Sequence, residues 1–235
     1  MALKLVAHLK PLAVYCNTAK DEHVDNVRFR REVEAWTGIP VQVISGDFES
    51  VDDVFEARKY MSGVSGAPCT AEMKKVPRHR FQYAEDTHIF GYTADETMPR
   101  CKNPRRDRVR SFLNQNPELI LAWPLVQVDI VKQDCLDILT DAGIELPMMY
   151  RLGFEHNNCL GCVKSKSARY WNKIRKYFPD VFAKRCEQSR RLGVRLVEYK
   201  GVRIFLDELP EDADEDLQED LSCGPHCGEA RTSNR

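Results

Sequence analysis

The sequence predicts an α/β fold: a Rossmann-like parallel sheet flanked by helices, then a cysteine-containing C-terminal extension with a small hairpin. Three observations carry this. Short apolar runs at 12–16, 41–44 and 88–92 are separated by segments of helical spacing, and strands alternating with helices imply a parallel sheet. Two β-like runs at 194–198 and 202–206 flank Lys200-Gly201, a pair suited to a hairpin turn. The 235 residues are 43% hydrophobic and 30% charged, which suits one globular domain of moderate size with a small appendage.

Each element has its own signal. Residues 12–16 read as a buried strand that ends in a polar loop at 17–22. From 24 to 36 a helix follows, with Phe29, Val33 and Trp36 at i, i+4 and i+7 on one face. Gly38 stops it and Pro40 marks the break before the strand at 41–44. Helices are expected over 50–60 and 70–84, and a third strand over 88–92. Val128, Val131, Cys135 and Ile138 form a helical stripe; Trp171, Ile174 and Phe178 form another. The run 211–220 is acidic and weakly structured. The chain divides into an α/β domain at 1–150, suited to an adenine nucleotide, and a cysteine-rich region at 151–235.

A net charge of −1 gives no global attraction to nucleic acid or membrane. No run approaches the roughly 20 apolar residues of a membrane span, and the first eleven residues are too polar and short for a signal peptide. A cytoplasmic protein with reduced thiols is therefore expected, and nine cysteines, an odd number, argue against a pure disulfide framework.

Ligands of parallel sheets sit at the carboxyl ends of the strands, so the loops after Cys16, Ile44 and Tyr92 hold the candidates. Asn17 and Thr18 follow the first strand, where a nucleotide would lie; an ordinary capped turn accounts for them equally well. Cys69 stands just before a helix, with Lys74 and Lys75 one turn in. A helix N-terminus favours a thiolate or a phosphate, while for the two lysines alone a solvated helix face is the better guess. Asp95, Glu96 and Arg100 follow the third strand and suit Mg²⁺–phosphate binding. The basic run Lys102, Arg105, Arg106, Arg108 and Arg110 suits a polyanion or a solvated loop, and Asp107 within it weakens the nucleic-acid version. Cys159-Leu160-Gly161-Cys162 has the spacing of half a zinc or iron–sulfur site. Cys223 and Cys227, with His226 between them, could complete a tetrahedral site or belong to a tail with incidental thiols. Cys16, Cys135 and Cys186 lie in apolar or helical stretches and read as small core residues.

Four stretches, in order and spacing, resemble the phosphoadenosine-phosphosulfate (PAPS) reductase family of the PP-loop ATP-pyrophosphatase (adenine nucleotide α-hydrolase-like) superfamily, in particular members from phage and bacterial genomes. Pro68-Cys69 through Lys74-Lys75-Val76-Pro77 is similar to the family's Cys-x-x-x-(Arg/Met)-Lys-x-x-Pro segment. Gly91 to Arg100 is similar to its Gly-Ile-Arg-Ala-Asp-Glu…Arg segment, with Tyr92-Thr93 in place of Ile-Arg. Trp123-Pro124-Leu125 leading to Asp129-Ile130-Val131 resembles its Pro-Leu and Asp-Val segment. Pro147 and Tyr150, through Gly153-Phe154, to Cys159 and Cys162 resembles its Pro-x-x-Tyr…Gly…Cys-x-x-Cys segment. The resemblance spans about residues 1 to 228. It implies an adenine nucleotide, ATP or PAPS with Mg²⁺, at the sheet edge. It also implies a [4Fe–4S] cluster on Cys69, Cys159 and Cys162, with Cys227 or Cys223 as the fourth ligand because Pro68 stands where the family has a cysteine. Ser222-Cys223-Gly224-Pro225-His226 resembles the reductases' nucleophile motif with Ser222 in place of glutamate. That makes Cys223 the implied catalytic thiol, cleared by a thioredoxin-like reductant.

Two chemistries fit this resemblance: reduction of a sulfonucleotide, or ATP-dependent adenylation with sulfur transfer, for instance to a nucleobase of a nucleic-acid substrate. The alternative is a degenerate, non-catalytic, metal-stabilised binding module with Zn rather than Fe–S. It draws support from a departure: the family's Ser-Gly-Gly-Lys-Asp-Ser phosphate loop is not in this sequence, and residues 1–9 look like the helix that follows it. In that fold the missing strand is central, so the expectation is a longer natural protein or a separate polypeptide that supplies the unit.

Overall fold

The computed structural model describes residues 1–63, 66–101, 103 and 106–214. It is a mixed α/β protein, about 48% helix and 11% strand; the strand share is about half that of an ordinary globular protein. The chain opens with α1 (Ala2–Leu5) and a 3₁₀ turn (Ala7–Leu9) that lead into β1 (Ala13–Cys16). Next come a 3₁₀ turn (Ala19–Asp21), α2 (Asp25–Thr37), β2 (Val41–Ile44) and α3 (Val51–Arg58). One helical run follows, made of α4 (Pro68–Thr70), a π-turn (Ala71–Lys75) and α5 (Val76–Phe81). β3 (Thr87–Ile89), a 3₁₀ turn (Ala94–Glu96), α6 (Arg108–Gln115), β4 (Ile120–Ala122), α7 (Pro124–Gln127) and α8 (Lys132–Asp141) complete the first part. The remainder is α9 (Met148–Arg151), α10 (Ala168–Tyr177), α11 (Pro179–Arg191) and the hairpin of β5 (Val197–Tyr199) and β6 (Val202–Ile204). No helix among the described residues is long and apolar enough to cross a membrane.

β1 pairs in parallel with β2, Ala13 facing Val41 and Cys16 facing Ile44. β3 pairs in parallel with β4, Thr87 facing Ile120. Among the described residues these two pairs are separate sheets, so the expected single Rossmann-like sheet is present only as parallel strand pairs with helices between them. The physical difference shows in burial. A two-face-covered parallel sheet buries its strands, whereas no residue of β1, β2, β3 or β4 is buried. Val14, Val43 and Ile120 are 38%, 44% and 54% exposed.

The core lies elsewhere. α3, the helical run after Ala67, α9, α10, α11 and the hairpin enclose Val54, Phe55, Met61, Met73, Met149, Trp171, Ile174, Leu196 and Val197. Each large side chain there contributes about 1.5–3 kcal/mol by leaving water. One core thus takes residues from both sides of position 150.

Several boundaries move for local reasons. The helix expected from 128 begins at Lys132, because Asp129 takes a left-handed φ of 57° and the Asp95 carboxylate caps the Lys132 N–H at 3.1 Å. The strand expected over 88–92 is Thr87–Ile89. Ser50 caps α3 by accepting from the Asp53 N–H at 3.2 Å, which fixes its start. The hairpin forms where expected: Lys200 (φ 50°) and Gly201 (φ 75°) occupy both left-handed positions of its two-residue turn.

Candidate metal and nucleotide site

The carboxyl end of β1 is tied to β2: the Asn17 N–H donates to the Ile44 carbonyl at 2.8 Å and its side-chain amide reaches the Ser45 hydroxyl at 3.3 Å. Thr18 is buried and turned inward, its hydroxyl bonded to Glu22 and Tyr15. Asp21 links three segments. Its carboxylate accepts from the Val51 N–H at 2.9 Å at the start of α3, and its carbonyl accepts from the Leu160 N–H at 2.7 Å. Burial pushes the Asp21 carboxyl upward despite that bond.

The Leu160 bond docks the cysteine loop against the 3₁₀ turn that follows β1. The loop is also held from two other sides. The Tyr170 hydroxyl of α10 accepts from the Cys162 N–H at 2.7 Å, and Arg185 Nε of α11 donates to the Gly161 carbonyl at 3.1 Å. Gly161 has a φ of 63°, and a Cβ there would stand 2.9 Å from Val181 Cγ1. No other residue turns the chain in that space. Asn157 extends the contact to α2, donating to Asn26 Oδ1 at 3.0 Å.

The result is a convergence of three thiols. Cys69, on α4, lies close enough to Cys159 and Cys162 for their charges to interact, and the Lys74 amine faces all three together with Glu22. Apolar burial pushes the Cys69 and Cys159 thiols up to about 12, with the neighbouring thiols adding to the rise. Lys74 as a whole residue is exposed. Packing about its amine opposes the charge, but the thiols and Glu22 outweigh it and raise its pKa. A fourth thiol lies near: Cys16 Sγ donates to the Lys74 carbonyl at 3.4 Å. Cys16 therefore borders the site as well as ending β1. The donor chemistry, soft sulfur in a largely apolar wall, suits zinc or iron–sulfur. Among the described residues, however, no group of three or more His, Cys, Asp or Glu side chains is gathered tightly enough to hold a metal ion. Cys223 and Cys227 lie outside the described residues, as do Lys102 and Arg105.

The acidic turn after β3 has structural partners. Glu96 completes a capping box with Thr93, accepting from its N–H at 3.0 Å, and pairs with Arg108 at 2.8 Å. Asp95 caps α8 at Lys132. Arg100 is paired with Asp129 across the surface. Lys132 joins this turn to the cysteine loop: its amine lies 3.5 Å from His156 Nδ1 and donates to the Glu155 carbonyl. Burial, then Lys132, Arg108 and Lys164, push His156 down to about 4, so it is neutral at pH 7. Lys75 shares the π-turn with Lys74, and its charge acts on His79.

Behind the thiols, Arg185 is buried and pairs with Asp52, which also accepts from Gln188 at 3.0 Å. Burial alone would raise the Asp52 carboxyl; Arg185 and Lys184 outweigh it and hold it at about 2. Sequence reading placed Asp21 and Glu22 only among the polar groups of the loop after the first strand, and it did not single out Tyr170 or Arg185. The one available signal for Arg185 is its place on the α11 face that carries Val181 and Phe182. No protein-family model matches this chain, and no curated protein or solved structure matches it.

Proposed function

We propose that this chain is a PAPS-reductase-like protein that binds an adenine nucleotide at the carboxyl end of β1 and holds a cysteine-bound [4Fe–4S] cluster. The observation that carries the reading is the meeting of Cys69, from one helix start, with Cys159 and Cys162, from a loop 90 residues away, beside Lys74. Three thiols and a cation at the end of a parallel strand are what an anionic nucleotide next to a sulfur-ligated centre calls for. Cys227 is the fourth ligand in this reading. The cluster would supply charge and an ordered sulfur surface.

The parallel pairs β1–β2 and β3–β4 are read as parts of one Rossmann-like sheet. Lys74 and Lys75 would meet the nucleotide phosphates, with Asn17 at the sheet edge. In the reductive version, the Cys223 thiolate attacks the sulfuryl sulfur. An S–S bond forms, the S–O bond to the nucleotide phosphate breaks, and the nucleotide leaves. A thioredoxin-like dithiol then supplies two electrons, releases sulfite and restores the thiol. In the other version the same nucleotide site adenylates a substrate for sulfur transfer.

One observation favours a second reading, a non-catalytic module stabilised by Zn. Asp95, Glu96 and Arg100, which would hold Mg²⁺ and phosphate, are engaged with Lys132, Arg108 and Asp129. Anaerobic purification separates the two. Iron and sulfide with absorbance near 400 nm, lost in Cys162→Ser, are expected; zinc without that absorbance selects the module, and neither metal overturns both.

A further inference from the structure

The net charge of −1 hides a segregation along the chain. Thirteen basic and three acidic side chains lie between residues 161 and 205, and nine acidic and no basic ones between 206 and 220. Such asymmetry points to a polyanionic partner, or to an acidic segment that imitates one. On α11 the basic residues are balanced: Lys184 and Arg185 pair with Asp52, Arg190 with Asp207 and Glu208, and Arg191 with Glu56.

α10 is different. Its ten residues carry four basic side chains and no acidic one. Arg175 turns aside and donates to the Leu209 carbonyl at 2.7 Å. Arg169, Lys173 and Lys176 fall at i, i+4 and i+7, on the face opposite the buried Trp171 and Ile174. Like charges at these spacings repel and destabilise a helix. α2 avoids this by placing Arg28 between Asp25 and Glu32. Lys173 donates to the Gly153 carbonyl and Lys176 lies 5.1 Å from the Tyr177 ring centre; neither has a carboxylate partner among the described residues. Arg169 already holds an anion, since the Asp214 carboxylate of the acidic segment accepts from its Nε at 2.8 Å.

The row spans about 10 Å, the axial length of about three nucleotides of one strand. Tyr177, 38% exposed, borders its far end. A cationic row beside an exposed aromatic ring suits a single strand, with phosphates on the cations and a base on the ring. An acidic polypeptide would leave the ring unused.

We propose that the α10 face formed by Arg169, Lys173, Lys176 and Tyr177 binds single-stranded nucleic acid through its backbone, without reading sequence, and that Asp214 competes for the first cation. The inference does not depend on the metal or the nucleotide reading, and its test involves neither.

The test uses the full chain and a fluorescein-labelled oligothymidylate of about twelve nucleotides, read by anisotropy. Saturable binding is expected at low salt, with log K falling against log salt at a slope of about −2, about −0.7 for each of the three cations. Lys173→Gln with Lys176→Gln is expected to weaken binding about fivefold or more and to lower the slope by about 1.4. Lys173→Arg with Lys176→Arg is expected to retain the wild-type affinity, which separates charge from folding. The same charge change at Lys10 and Lys59, both exposed and on other elements, is expected to leave binding unaltered. Tyr177→Leu should weaken it about fivefold or more, and Asp214→Asn should strengthen it about twofold. No binding by the wild-type chain overturns the proposal, as does full binding by the glutamine variant or equal displacement by polyglutamate of the same total charge. An unaltered Tyr177→Leu variant overturns the single strand. Binding that emerges only with Asp214→Asn assigns the face to the chain's own acidic segment and overturns nucleic acid as its occupant.

Discussion

Gly161 is the residue on which the shape of the cysteine loop depends. Its left-handed φ and the 2.9 Å approach to Val181 leave no room for a side chain. Gly161→Ala is expected to cost about 2 kcal/mol, read as a drop in melting temperature of several degrees. An unchanged melt would show that the loop is not held as described. Arg185 and Asp52 support the loop from behind, and their pair has a defined pH signature. The Asp52 carboxyl sits at about 2 in the folded chain, below its ordinary 3.8. A depressed carboxyl stabilises fully above its unfolded value and loses that contribution as pH falls through the folded one. The contribution, about 2 kcal/mol, is therefore present at pH 5 and above and disappears between about pH 4 and 2. Urea unfolding of the wild type and Asp52→Asn should differ at pH 7 and converge near pH 2; a constant gap would remove Asp52 as the titrating group.

At the scale of elements, the hairpin separates local from tertiary information. Lys200 and Gly201 both take positive φ, as a two-residue turn between right-twisted strands requires. Gly201 tolerates this and Lys200 does not, so Lys200→Asn is expected to gain about 0.5–1 kcal/mol. A thermal melt that falls instead would mean that the Lys200 contact with Tyr199, at 5.0 Å, outweighs the backbone preference. Turn chemistry of this kind is written in two adjacent residues, which is why the hairpin, α2 and β2 were legible. β4 was not, because Ile120, Leu121 and Ala122 form a three-residue run with too little period to read. α11 was missed because Arg185 and Gln188, buried and polar, interrupt its apolar stripe. For the candidate site, the Cys159–Cys162 pair could be read from spacing, whereas Cys69 joined it only through the family resemblance. The roles of Asp21, Tyr170 and Arg185 could not, since each acts through a contact with a residue distant in sequence. Asp95 and Glu96 show the reverse: their residue types suit Mg²⁺, while the fold engages them as caps.

Over the whole molecule, order is distributed unevenly. The core packs α3, α9, α10, α11 and the hairpin around Trp171 and Ile174, both 0% exposed. The strand pairs β1–β2 and β3–β4 contain no buried residue, and residues of β1 and β3 line one cavity of about 1100 Å³. Amide exchange in a native protein follows local opening, which is easiest where few apolar contacts would be lost. The chain alone should then show two classes of protection. Amides of α10, α11 and β5 are expected to exchange near the global unfolding rate. Those of β1 and β3 are expected to exchange at least about a hundredfold faster, since a deficit of about 3 kcal/mol in local stability corresponds to that factor. The comparison is made by mass spectrometry on peptides covering 13–16, 87–89, 168–191 and 197–199. Equal protection across the four would mean that the strand pairs share the cooperativity of the core.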